Sequence, residues 1–120
     1  MAAVDEKMAA LAFTATTSRT PEQVVRLLDD AAEVSRGGFV LARSGAGRVD
    51  GRVRNVLRVT HAEFTVHLEQ QDDGQTTVRL SIGDYLRTRD TVLLFIPLSP
   101  WSAPAYKPLR EFVEYLRSKL

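Results

Sequence analysis

Residues 106–120 constrain this chain more than any other stretch. Their apolar positions are Tyr106, Leu109, Phe112, Val113, Leu116 and Leu120. That is the spacing of one helical face. Arg110, Glu111, Glu114, Arg117, Ser118 and Lys119 take the other side, mixed in sign and suited to solvent. A helix here is about 22 Å long, roughly the length of a strand in a small sheet. Burying its stripe contributes at most about 10 kcal/mol. A helix of this kind closes a core, so the rest of the chain must supply an apolar surface to receive it.

The chain before it reads mostly as strands. Leu11, Phe13 and Ala15 alternate with Ala12, Thr14 and Thr16, giving a first strand over about Leu11–Ser18. Thr20-Pro21-Glu22-Gln23 is a helix start: a capping threonine, proline in the first turn, and glutamine completing a capping box. Val24, Leu27, Leu28, Ala31 and Ala32 form its stripe, and Gly37-Gly38 follows its end. Phe39–Arg43 is a short strand, and Gly45-Ala46-Gly47 a turn. Arg48–Val59 alternates again, with Asp50-Gly51 either a hairpin turn or a bulge inside one strand. Phe64, Val66 and Leu68 mark the next strand, and Asp72-Asp73-Gly74 is a hairpin turn. Thr76 to Arg87 alternates throughout, and Thr91–Ile96 reads as a last, nearly all-apolar strand. Pro97, Pro100, Pro104 and Pro108 then mark an elbow around Trp101. Pro108 lacks an amide donor, so it is harmless only in a first helical turn. Hairpin-length connections make these strands mostly antiparallel, and the helices are the only cover for their apolar face.

Composition excludes several classes. The chain has 120 residues, room for one domain with one core. Sixteen basic and 15 acidic residues leave a net charge of +1, which argues against a generally basic nucleic-acid or membrane binder. There is no cysteine, so disulfides, thiolate catalysis and zinc–thiolate sites are out. The longest apolar run, Val92–Leu98, is too short to span a bilayer. Asp5, Glu6 and Lys7 ahead of Met8–Phe13 have the wrong charge order for a secretory leader. The expectation is a cytoplasmic protein. Residues 1–7 read as a disordered lead-in or a short helical extension.

The order strand, capped helix, antiparallel strands, C-terminal helix resembles the helix-grip superfamily (SRPBCC, with its START-like, pollen-allergen-like and polyketide-cyclase-like members). Three local features are similar to short actinobacterial members. They are Phe13–Arg19 followed by Thr20-Pro21-Glu22, the strand end Leu94-Phe95-Ile96-Pro97, and the proline elbow leading into Leu109, Phe112 and Leu116. The likeness covers about residues 10–120. It implies a curved antiparallel sheet wrapped around the last helix, with an apolar cavity between them. That family has no universal catalytic residues, so no catalytic residue is carried over.

Taken together, the expected fold is α+β. A curved antiparallel sheet of about six strands grips the C-terminal helix, in the order β-α-β-β-β-β-β-α. Residues 1–10 form a flexible lead-in and 11–120 a single domain.

Asp84 shares parity with Val78, Leu80, Ile82 and Leu86, so a regular strand aims it inward, where a carboxylate would meet a ligand hydroxyl or amine. The competing reading is that Gly83 breaks the alternation and turns Asp84 to water. His61 and His67 are poorly spaced for a metal and have no carboxylate cluster beside them. Ser44-Gly45-Ala46-Gly47-Arg48 lacks the lysine and the following helix of a phosphate loop. Arg43, Arg48, Arg52, Arg54 and Arg58 form a basic segment without aromatics for base stacking. Glu63, Glu69 and Asp72 on neighbouring strands can pair with it. Phe95, Trp101 and Tyr106 gather at the elbow, either as a lid over a cavity mouth or as plain packing.

The expected role is binding a small apolar or amphipathic molecule between sheet and helix. Asp84, Tyr85, Phe95, Trp101, Tyr106 and Phe112 are the candidate contacts. No cofactor, metal, nucleic acid or membrane span is expected. The alternative is an interaction protein with a packed core, monomeric or homodimeric, acting through its sheet edge or arginine-striped face. A small cyclase- or hydrolase-like enzyme using Asp84 and a tyrosine is the remotest reading.

Overall fold

The computed structural model describes residues 3–35, 38–45, 47–54, 57, 59–86, 92–93, 96–97 and 103–120. Its elements are α1 (Ala3–Ala9), β1 (Phe13–Thr17), α2 (Pro21–Val34), β2 (Gly38–Arg43), β3 (Arg48–Arg54), β4 (Thr60–Gln70), β5 (Thr76–Tyr85), β6 (Val92–Leu93), β7 (Ile96–Pro97) and α3 (Tyr106–Lys119). The fold is α+β, with an open, fully antiparallel sheet in the order β1-β5-β4-β3-β2.

The local signals in the sequence act as physical chemistry requires. The Thr20 hydroxyl accepts from the Gln23 amide at 3.2 Å, and the Thr20 amide donates to Gln23 Oε1 at 2.9 Å. This reciprocal box starts α2. Gly74, at φ +84°, makes the hairpin between β4 and β5. Pro108 falls in the first turn of α3, where its missing donor costs nothing. The Asp50-Gly51 ambiguity resolves as neither alternative. Gly51 lies inside an unbroken β3, paired with Leu41 on one side and Phe64 on the other.

Two expectations need correcting. The main sheet has five strands among the described residues, not about six. The stretch expected as one strand, Thr91–Ile96, contributes β6 and β7, which pair with each other as Val92↔Pro97 and Leu93↔Ile96. β1 covers the outer edge of β5 along Thr76–Leu80 only, and the stretch after β5 closes on itself as a separate two-stranded pair instead of extending the main sheet. Secondly, the N-terminal segment is helical from Ala3, so the order opens with a helix. Val4 and Met8, four residues apart on one face of α1, are buried. Of the two readings of that segment, the helical one applies.

All three helices contribute to one core. Val24, Leu28 and Ala31 of α2, and Leu109, Phe112, Val113 and Leu116 of α3, are buried with Val49, Val53, Ala62, Phe64, Val66, Leu68, Val78 and Leu80 of the sheet. Of the strand residues of opposite parity, Arg48, Arg52, Glu63, His67 and Arg79 are exposed, and Asp50, Thr65 and Thr77 are half-buried. Among the described residues the helices cover one face of the sheet and leave the other bare, as antiparallel sheets permit. Polar ties fix the corner where α3 ends. Arg19 Nε donates to the Lys119 carbonyl at 2.8 Å, and the buried Thr76 hydroxyl donates to the Arg19 carbonyl at 2.7 Å. Arg117 lies over the Phe13 ring at 5.3 Å.

Candidate functional site

Where α3 meets the sheet, the space is occupied by three phenyl rings. Phe112 of α3 stacks on Phe39 of β2 with centroids 4.9 Å apart and an interplanar angle of 10°. It also packs against Phe64 of β4 at 5.1 Å and 53°. Phe39 and Phe64 meet edge to face at 6.2 Å. These are the offset and tilted geometries aromatic pairs prefer. Gly51 makes room for the cluster, because a Cβ there would lie 2.1 Å from Phe64 Cζ. Of the candidate ligand contacts, Phe112 is thus fully buried and in contact with core rings.

Asp84 lies on the other side. The β4–β5 register shifts so that Gly83 and Asp84 together oppose Glu63, between the pairs Phe64↔Ile82 and Ala62↔Tyr85. This bulge inverts the alternation. Ile82 and Tyr85 pack against the core while Asp84 is exposed. The inward carboxylate expected from parity is therefore not formed. Asp84 borders an open depression of roughly 330 Å³ with Thr60, His61, Ala62, Glu63, Tyr85 and Leu86.

Tyr85 and Tyr106 are half-buried, and each meets a residue of α1. The Tyr85 hydroxyl donates to Asp5 Oδ1, and the Lys7 ammonium lies 5.8 Å from the Tyr106 ring centroid. Neither the sequence pattern of α1 nor that of β5 announces this bridge, which depends on tertiary placement. Phe95 and Trp101 lie outside the described residues, as do Arg58, Arg87 and Arg89. Among the described residues no group of three or more His, Asp or Glu side chains could hold a metal ion. His67 is exposed and His61 half-buried.

The bare sheet face is charged and partly self-neutralised. Arg48 Nε is 3.0 Å from Asp50 Oδ1, which also accepts from the Thr65 hydroxyl at 3.2 Å. Arg52 and Glu63, directly opposite each other, are 3.9 Å apart. These are solvent-screened pairs of small energy. On α3, Glu114 raises the Arg110 guanidinium further above its ordinary pKa through a hydrogen bond first and its charge second. Val40 interrupts the polar surface. It projects from β2 to the bare face with 41% of its surface exposed.

β2 also forms one edge of the sheet. Its sequence, Gly38-Phe-Val-Leu-Ala-Arg43, has no proline or lysine, and its single charge falls at the last residue. The opposite edge, β1, is five residues long with three threonines. Sequence reasoning named an open edge without saying which strand provides it. The apolar composition of β2 was visible, but its edge position depends on long-range pairing. No helix among the described residues is long and apolar enough to cross a membrane. No protein-family model matches the chain, and a search of curated proteins returns no significant match.

Proposed function

We propose that this chain is a small interaction module with a solid core, working through its sheet surface in self-association or partner binding. The observation that carries this reading is the Phe39–Phe64–Phe112 cluster. It fills the region between helix and sheet where a ligand pocket would have to open. In keeping with the helix-grip likeness, we read the sheet as curved around α3. On that reading the three rings stand where the family keeps its cavity. The exposed edge of β2 and the bare charged face are what remain for recognition. A cytoplasmic setting suits a chain without cysteine.

The test is a thermal-shift screen with fatty acids, sterols and aromatic polyketides. A packed core predicts no saturable rise in melting temperature with any of them. A rise that saturates with ligand, and is lost on Phe112→Trp, would replace this reading with the apolar-ligand one.

A further inference from the structure

We infer that β2 is a self-pairing edge, joining two copies of the chain into one continuous ten-stranded sheet about a two-fold axis at Val40. The inference rests on the interaction reading above and names the partner as a second copy.

The hydrogen-bond phase of the sheet supports it. The Ser44 amide donates to the Arg48 carbonyl at 2.9 Å, and the β2–β3 register continues from that pair through Ala42↔Asp50, Val40↔Arg52 and Gly38↔Arg54. Even-numbered residues of β2 therefore spend their amides and carbonyls on β3. In an antiparallel ladder the odd-numbered ones point the other way. The same phase holds on the next strand, where the Leu68 amide donates to the Gly47 carbonyl at 2.8 Å, so odd residues of β3 serve β4. Phe39, Leu41 and Arg43 thus present their backbone groups to the outer edge, where no hydrogen bond to described residues engages them.

Side chains then select one register. Two copies of β2 related by a two-fold axis must keep core-facing residues on one face, so the axis passes through a single residue position. Centring on Leu41 would set Arg43 of one copy against Phe39 of the other on the core side. Centring on Val40 instead sets Phe39 against Leu41 of the second copy, both core-facing and partly buried, and Gly38 against Ala42. Phe39 with Leu41, and its symmetry mate, are then hydrogen-bonded pairs, each exchanging two backbone bonds. Val40 falls opposite Val40 of the second copy as the close, non-hydrogen-bonded pair. The otherwise anomalous apolar side chain on the bare face thereby gains a cover. Pairing of one short edge buries less than the roughly 1,200 Å² of a tight complex, so a micromolar or weaker dimer is expected.

The chain has no cysteine, which makes a crosslinking test clean. Val40→Cys places two thiols on Cβ atoms about 4.5–5.5 Å apart, close enough for a disulfide to form with small adjustment. Under mild oxidation it should give a covalent dimer. Ala42→Cys should not, because two copies of that position lie about 13 Å apart along the strands. Sedimentation equilibrium of the wild type from about 10 µM to about 1 mM should show a mass rising from 13.4 kDa toward twice that value. Val40→Lys, at a position already exposed, should stay folded and monomeric throughout. A wild type that remains monomeric at the top concentration overturns the pairing. So does a dimer that persists in Val40→Lys while Val40→Cys fails to crosslink. Either result leaves the packed-core interaction reading intact, whereas a saturable apolar-ligand shift sinks that reading instead.

Discussion

Gly51→Ala adds one methyl group at a point where the core has no room for it. The new Cβ would stand 2.1 Å from Phe64 Cζ and 2.5 Å from each Cε. Ordinary carbon contacts are about 3.5–4.0 Å, so the ring must retreat by about 1.5 Å. A free aromatic ring would swing aside at little cost, but Phe64 is only 2% exposed and is held by Phe112 at 5.1 Å and Phe39 at 6.2 Å. Overpacking costs about 1–3 kcal/mol, and spoiling the ring geometry adds about 0.5–1.5 kcal/mol. Replacing glycine within a strand returns about 0.5–1 kcal/mol of chain entropy. The net is a destabilisation of about 2 kcal/mol, or about 8 °C in melting temperature for a domain of this size. Urea unfolding of Gly51→Ala, Phe64→Leu and the double variant would measure it. Leucine lacks the Cζ atom, so the double variant should be more stable than the two single effects predict by about 1 kcal/mol. A Gly51→Ala protein within about 0.5 kcal/mol of wild type, or strictly additive variants, would refute the account.

Four further outcomes are expected. Thr20→Ala removes the acceptor that starts α2 and should cost about 1 kcal/mol in chemical denaturation. Met8→Ala should cost about 2–5 kcal/mol, since Met8 is fully buried. Tyr85→Phe, which breaks the bond to Asp5, should raise amide exchange within α1 with a smaller global effect. Asp84→Asn should leave the melting temperature unchanged within about 0.5 kcal/mol equivalent, because the bulge at Gly83 puts that carboxylate in solvent.

Local rules made much of this fold legible. The capping box at Thr20 and the turn at Gly74 depend on residues a few positions apart, and both are in place. Alternation in β4 and β5 correctly separated Phe64, Val66, Leu68, Val78 and Leu80 from their solvent-facing neighbours. What escaped depended on distant partners. Parity alone misplaces Asp84, because one extra residue in β5 shifts every later side chain by one face; the competing reading, that Gly83 breaks the alternation and turns Asp84 to water, is the one the bulge realises. Gly51 stays open between a hairpin turn and a bulge in the sequence because nothing nearby reveals that Phe64 will need its missing side chain. The buried role of α1 rests on Val4 and Met8 alone, too few positions to show a period in seven residues. The apolar run at 91–96 offered no sign that its ends would pair with each other. The candidate site suffered most, since which strand stands at the edge follows from sheet order rather than from any motif.

The position of β1 bears on the route by which the chain reaches this state. β2 to β5 form a meander in which each strand pairs with its immediate successor. β1 must wait for Thr76–Leu80, some sixty residues downstream, before it has a partner. Loop-closure entropy therefore sets β1 apart from the meander as a late arrival. Substitutions in the β3–β5 hairpins should then mainly slow folding, and those confined to β1 should mainly hasten unfolding.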